Sequence, residues 1–160
     1  MLRRTFLFAT ACAIASPAFA AGEQPADIVT LIYKVSAGKK GDYSGASAFT
    51  DKGIRAKYFS KSLVAAIVKM DRKSAATNEP ILDFDPVTSS QDPSVKRLKI
   101  TSESQTADKA VVTATFYSFD SKTPTVVRYL FNLEGDSWRI DDMTGGEVKD
   151  SWKLREVINQ

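Results

Sequence analysis

The chain has 160 residues, 22 basic against 19 acidic side chains and no histidine, with 43% hydrophobic and 26% charged residues. That length favours one domain over two, and the apolar fraction suffices for a core, which excludes a disordered chain. Beyond the N-terminus no run of about 18 apolar residues occurs, which excludes a polytopic membrane protein.

Leu2-Arg3-Arg4 opens the chain with positive charge, residues 5–14 are almost wholly apolar or small, and Ser16-Pro17-Ala18-Phe19-Ala20 ends in a small-x-small pattern. This is the layout of an export signal and predicts cleavage after Ala20. As a helix the apolar stretch spans only ~15 Å against a hydrocarbon core of ~30 Å, so no permanent membrane span is expected. Arg3-Arg4-Thr5-Phe6-Leu7 is similar to a twin-arginine signal, which leaves the export route open. Cys12, the only cysteine, reads as apolar filler of this segment. The alternative, lipidation at Ala9-Thr10-Ala11-Cys12, lacks the usual Leu three residues upstream. Without residues 1–20 the chain keeps 20 basic and 19 acidic residues and no thiol. A periplasmic or secreted protein is expected, stabilised by its core and not by disulfides.

Pro25 suits the first position of a helix in which Ile28, Leu31, Ile32 and Val35 form an apolar stripe, with Gly38 as the stop. Residues 38–45 are rich in glycine and charge and read as an exposed loop. A short helix falls within 46–58, and Ser60 caps a longer one whose stripe is Leu63, Val64, Ile67 and Val68, ending near Arg72. Pro80, Pro86 and Pro93 then bracket an irregular segment, 81–92.

From there the hydrophobic period becomes two. Residues 95–103, 109–120, 125–134 and 137–143 read as four strands joined by short turns, hence antiparallel neighbours. Ser151 opens a last helix with Leu154, Val157 and Ile158 on one face. The expected fold is a single α+β domain over residues 21–160: N-terminal helices packed on a curved four-stranded antiparallel sheet, with a short C-terminal helix.

Helices followed by long strands, the last carrying Trp138-Arg139-Ile140-Asp141-Asp142-Met143, resemble the cystatin-like and nuclear-transport-factor-2-like cone folds. Together with Tyr58-Phe59-Ser60 and with Leu82-Asp83-Phe84-Asp85-Pro86 ahead of Gln91-Asp92, this segment is similar to the exported bacterial family called domain of unknown function 3828. The likeness covers roughly residues 25–158. It implies a fold and an envelope location, and brings no catalytic residues with it.

The lack of histidine removes the usual near-neutral acid/base and the usual transition-metal ligand, and no glycine-rich phosphate loop or calcium loop is present. No cofactor or metal is expected. Asp83 and Asp85 share a face if their segment is extended; they either hold a cation or satisfy backbone donors while Leu82 and Phe84 face the core. Asp142, read as sharing a face with Trp138 and Ile140, is the candidate pocket carboxylate; the plainer alternative is a strand end bonded to the next turn. Tyr117 and Phe119 are placed with Val127, Tyr129 and Phe131 on one aromatic face, with Phe116, Arg128 and Leu130 opposite, and Arg128 or Tyr117 would anchor a small ligand there. Basic residues are dispersed, which argues against nucleic-acid binding.

The leading expectation is an exported, non-catalytic protein that binds a small ligand or an envelope protein. The alternatives are an envelope-enzyme inhibitor or immunity-type protein acting through residues 39–44 or 80–92, and a histidine-free isomerase or hydratase using Asp142 with Tyr117 or Tyr129.

Overall fold

The computed structural model describes residues 22–146 and 151–160; the expected signal segment and Cys12 lie outside them. Helix α1, Pro25–Ala37, starts with proline in its first turn and stops at Gly38, whose φ of 64° suits a residue without a Cβ. Its buried face is Ile28, Val29, Ile32, Tyr33 and Ser36, rotated from the expected stripe, so that Val35 is 36% exposed. Tyr33 accounts for the rotation: its ring meets Phe116 and Tyr129 edge-on and its hydroxyl donates to the Val87 carbonyl at 2.7 Å. Helix α2, Lys52–Tyr58, is capped by Asp51, which accepts from the Ile54 amide. Helix α3, Lys61–Thr77, is capped by Ser60 through the Leu63 amide at 3.0 Å. It runs past Arg72 to Asn78, which ends it in the left-handed conformation. It buries Leu63, Ile67 and Met70, while Val68 faces outward.

Among the described residues five strands, not four, form one antiparallel sheet in sequence order: β1 Lys96–Gln105, β2 Lys109–Tyr117, β3 Thr125–Glu134, β4 Ser137–Gly145 and β5 Trp152–Lys153. The fifth occupies the start of the expected last helix, so α4 is only Leu154–Ile158 and buries Leu154 and Ile158. Ser151 does not cap it. Strand β2 stops at Tyr117, because Phe119 turns the chain at φ 48° before the next strand.

Register decides which side chains point inward. Ala110, Val112, Ala114 and Phe116 of β2 stand beside Phe131, Tyr129, Val127 and Thr125 of β3. Phe116 therefore shares the inner face with Tyr129, and Tyr117 lies on the outer face, the reverse of the sequence reading. In β4 the ladder pairs Ile140 with Phe131 but Asp142 with Leu130, so Asp141 is the extra residue of a bulge. A bulge inverts alternation. Met143 is consequently buried with Trp138 and Ile140, and Asp142 is displaced from the face it was expected to share with them.

Helix α1 lies against β1 and β2, while α2, α3 and α4 cover β4. The core between them is dense: Ile32, Tyr33, Leu63, Ile67, Phe116, Tyr129, Phe131, Ile140 and Met143 are all fully buried. Each apolar side chain of this size contributes roughly 1.5–3 kcal/mol by leaving water. These side chains face one another between the helices and the sheet, shut off from solvent. Beyond β5 the free edge of β4 is closed by residues 59–60, which bridge to Ile140 with the Ser60 amide donating to its carbonyl at 2.8 Å. The opposite edge, β1, carries two register breaks and Lys96, Arg97 and Lys99, features that discourage pairing with another strand. No helix among the described residues is long and apolar enough to cross a membrane.

Candidate functional site

The six candidate residues do not converge. Asp142 Oδ1 accepts from the Met143 amide at 2.9 Å and from the Arg155 amide at 3.1 Å, the second being an otherwise unpaired donor in the first turn of α4. Burial raises its carboxyl above the ordinary value, opposed by those two amides. It caps a helix from a neighbouring strand, since Lys153 at the cap position supplies no side-chain bond. Asp141 beside it receives Arg155 Nη2 at 2.6 Å and Ser60 Oγ at 2.7 Å. Burial pushes this carboxyl up too, but the bonds from Ser60 and Arg155 outweigh it and hold the group low. The bulge thus binds α3, β4 and α4 together.

Tyr129 is wholly buried at the centre of the inner face, and its hydroxyl has no hydrogen-bond partner among the described residues. Burial drives its phenol far above the ordinary range. Tyr117, on the outer face, lies under the Arg97 guanidinium at 5.6 Å. Neither tyrosine, nor Asp142, lines either of the two grooves described below.

Asp85 takes the structural role weighed for it. Its Oδ1 accepts from the Val87 amide at 2.9 Å and from Ser47 Oγ at 2.8 Å, and its own amide donates to the Ser90 carbonyl, closing a turn around Pro86. Burial is the main influence on its carboxyl and raises it. Asp83 points elsewhere: it is exposed and, among the described residues, receives only Gln91 Nε2, at 3.3 Å. Among the described residues no three acidic, histidine or cysteine side chains are grouped to hold a metal ion. Phe84 departs from expectation as well. Instead of entering the core it packs on Trp152, ring centroids 5.2 Å apart.

Two of the six do meet, with residues the sequence reading missed. Asp83 and Arg128 line a groove of about 1100 Å³ on the outer side of the sheet, walled by Phe84 and Trp152 and rimmed by Ser89, Gln91, Thr123 and Pro124. Trp152 is fixed there by Nε1 donating to Ser89 Oγ at 2.9 Å. Ser89 holds φ at 52°, and the 118–124 connection that supplies Thr123 and Pro124 contains Phe119, which is turned to φ 48° and 57% exposed. Strained backbone of this kind collects at functional surfaces. Arg128 Nε is held by Glu103 at 3.0 and 3.3 Å. Of the two wall aromatics, Phe84 was expected in the core and Trp152 was not singled out by the sequence reading at all.

Across the wall formed by Asp83, Phe84 and Gln91 lies a second groove of about 690 Å³, reaching Arg55 and Asp71. Arg55 is buried, donates to the Phe49 carbonyl, stacks 5.3 Å over the Phe49 ring and pairs with Asp71 at 2.9 Å. The fold thus engages its Nε and Nη1. No family model, no curated protein and no solved structure matches this chain.

Proposed function

We propose that the chain is an exported, non-catalytic binding protein of the cystatin-like or nuclear-transport-factor-2-like class, akin to the domain of unknown function 3828 family, that holds a ligand in the groove of Phe84, Trp152 and Arg128. The charged and apolar pattern of residues 1–20 supports export, and helices followed by an antiparallel meander support the fold class. One observation carries the binding reading: an aromatic pair held rigid beside polar groups of both kinds, outside a core that is filled. The isomerase reading draws less support: Asp142 lines neither groove, and its Oδ1 is engaged by two amides. Screening the purified chain against a library of small fragments by NMR tests the proposal. Saturable shifts at the Trp152 indole, absent at Trp138, are expected; a library with no fragment shifting Trp152 dismisses it.

The inhibitor reading draws its support from the 80–92 loop, which is stiffened by Asp85 and by Val87, buried at 1% exposure. A preorganised loop binds at lower entropic cost. Alanine substitutions at Asp83 and Gln91 that left inhibition of envelope hydrolases unaltered would remove it.

A further inference from the structure

We infer that the groove is built for a neutral, polyhydroxylated chain, an oligosaccharide, laid with the C–H faces of its rings on Phe84 and Trp152. The inference rests on the reading of the groove as a ligand site and names the chemistry of its occupant. Three observations carry it.

The first is charge. Among the described residues Arg128 is the cation of the lining, but Glu103 is bonded to it, and Asp83 contributes a carboxylate to the same lining. Among the described residues, an anionic ligand meets the carboxylates of Glu103 and Asp83 as well as the one lining cation, and a cationic ligand meets the guanidinium, so neither sign is favoured.

The second is the set of uncommitted polar atoms. Among the described residues, the terminal nitrogens of Arg128 and the hydroxyl of Thr123 make no hydrogen bond, Gln91 Oε1 accepts none, and Asp83 keeps one oxygen without a donor. Donors and acceptors therefore stand side by side around one surface. A sugar hydroxyl is both donor and acceptor, and satisfies both kinds at once.

The third is shape and apolar content. The Phe84 and Trp152 rings, tilted by 55°, form a faceted wall, and Trp152 is kept from turning by its bond to Ser89. A volume of about 1100 Å³ lies above the roughly 300–1,000 Å³ of sites for drug-sized ligands, which suits several linked rings over one.

The test is an NMR titration of the full chain with cellohexaose, chitohexaose and maltohexaose as neutral probes, hexagalacturonate and hexaglucosamine as charged ones, and the sugar-free fragment library in parallel. At least one neutral hexasaccharide is expected to shift the Trp152 indole saturably, with Kd of about 1 mM or tighter, leaving Trp138 in place. Asp83→Ala, at an exposed position that does not threaten folding, is expected to weaken it about tenfold, as is Trp152→Phe. Fragments that bind at Trp152 while all neutral hexasaccharides fail, or a charged probe that binds tenfold tighter than any neutral one, overturn the saccharide assignment and leave the groove standing as a ligand site. If neither fragments nor sugars shift Trp152, both readings fall together.

Discussion

Trp152 lies flat over Gly145, its cross-strand partner: a Cβ on the glycine would stand 2.6 Å from the indole Cζ2. This contact is what brings the indole of a two-residue strand into the groove wall. Gly145→Ala is expected to force the ring off the strand, costing about 1–3 kcal/mol in urea unfolding and red-shifting the fluorescence of Trp152 as the Ser89 bond breaks. Unaltered stability and emission would show that the ring has room to move aside.

Asp142 works as a distant cap for α4, which separates two substitutions that a catalytic base would not. Asp142→Asn keeps an oxygen able to accept from the Met143 and Arg155 amides and is expected to stay within about 0.5 kcal/mol of the parent. Asp142→Ala leaves both amides unpaired and is expected to cost about 1–2 kcal/mol, read from denaturant midpoints. Groove ligands should bind both variants alike, since Asp142 does not line it.

What was legible beforehand was whatever the local chain decides alone. Ser60 as a cap, Gly38 as a stop and the turn ahead of Thr125 are local chemistry, and all appear where the residue types place them. Faces were harder. In Phe116-Tyr117-Ser118-Phe119 aromatics occupy both parities, so the pattern does not say which side is inner; the register with β3 does. The bulge at Asp141 leaves no local mark, because its stabilising partners, Ser60 and Arg155, come from distant segments. The groove escaped for the same reason. Phe84, Arg128 and Trp152 are far apart in sequence and meet only after the sheet has formed.

Asp85 and Asp141 predict opposite pH dependences. Burial raises Asp85 above its ordinary 3.8, so the folded chain holds that proton more tightly than the unfolded one. Its contribution to stability is full below pH 3.8 and is lost as pH rises through the folded value. Asp141 is lowered from 3.8, so its contribution is present above that pH and is lost as pH falls through the folded value. Relative to the parent, Asp85→Asn should therefore gain stability as pH rises from acid to neutral, and Asp141→Asn should lose it. Urea titrations across the range decide both, and parallel curves for parent and variants would refute the assignment.

Tyr33 and Tyr129 touch edge-on in the core, yet their hydroxyls differ: Tyr33 donates to the Val87 carbonyl at 2.7 Å, while Tyr129 has no partner among the described residues. A buried hydroxyl without a bond costs about 1–3 kcal/mol of desolvation, whereas a made bond contributes roughly 0.5–1.5 kcal/mol net. Tyr129→Phe is therefore expected to leave stability unchanged or raise it by about 1 kcal/mol. Tyr33→Phe is expected to lower it by about 1 kcal/mol and to loosen the 85–89 segment that carries Ser89 to Trp152. Denaturant midpoints measure the first difference, and amide exchange at Val87 and Thr88 the second. The pair also discriminates function. A phenol that anchored ligand or moved a proton would make Tyr129→Phe the damaging change of the two, and that result would return the interior of the sheet to consideration as the site.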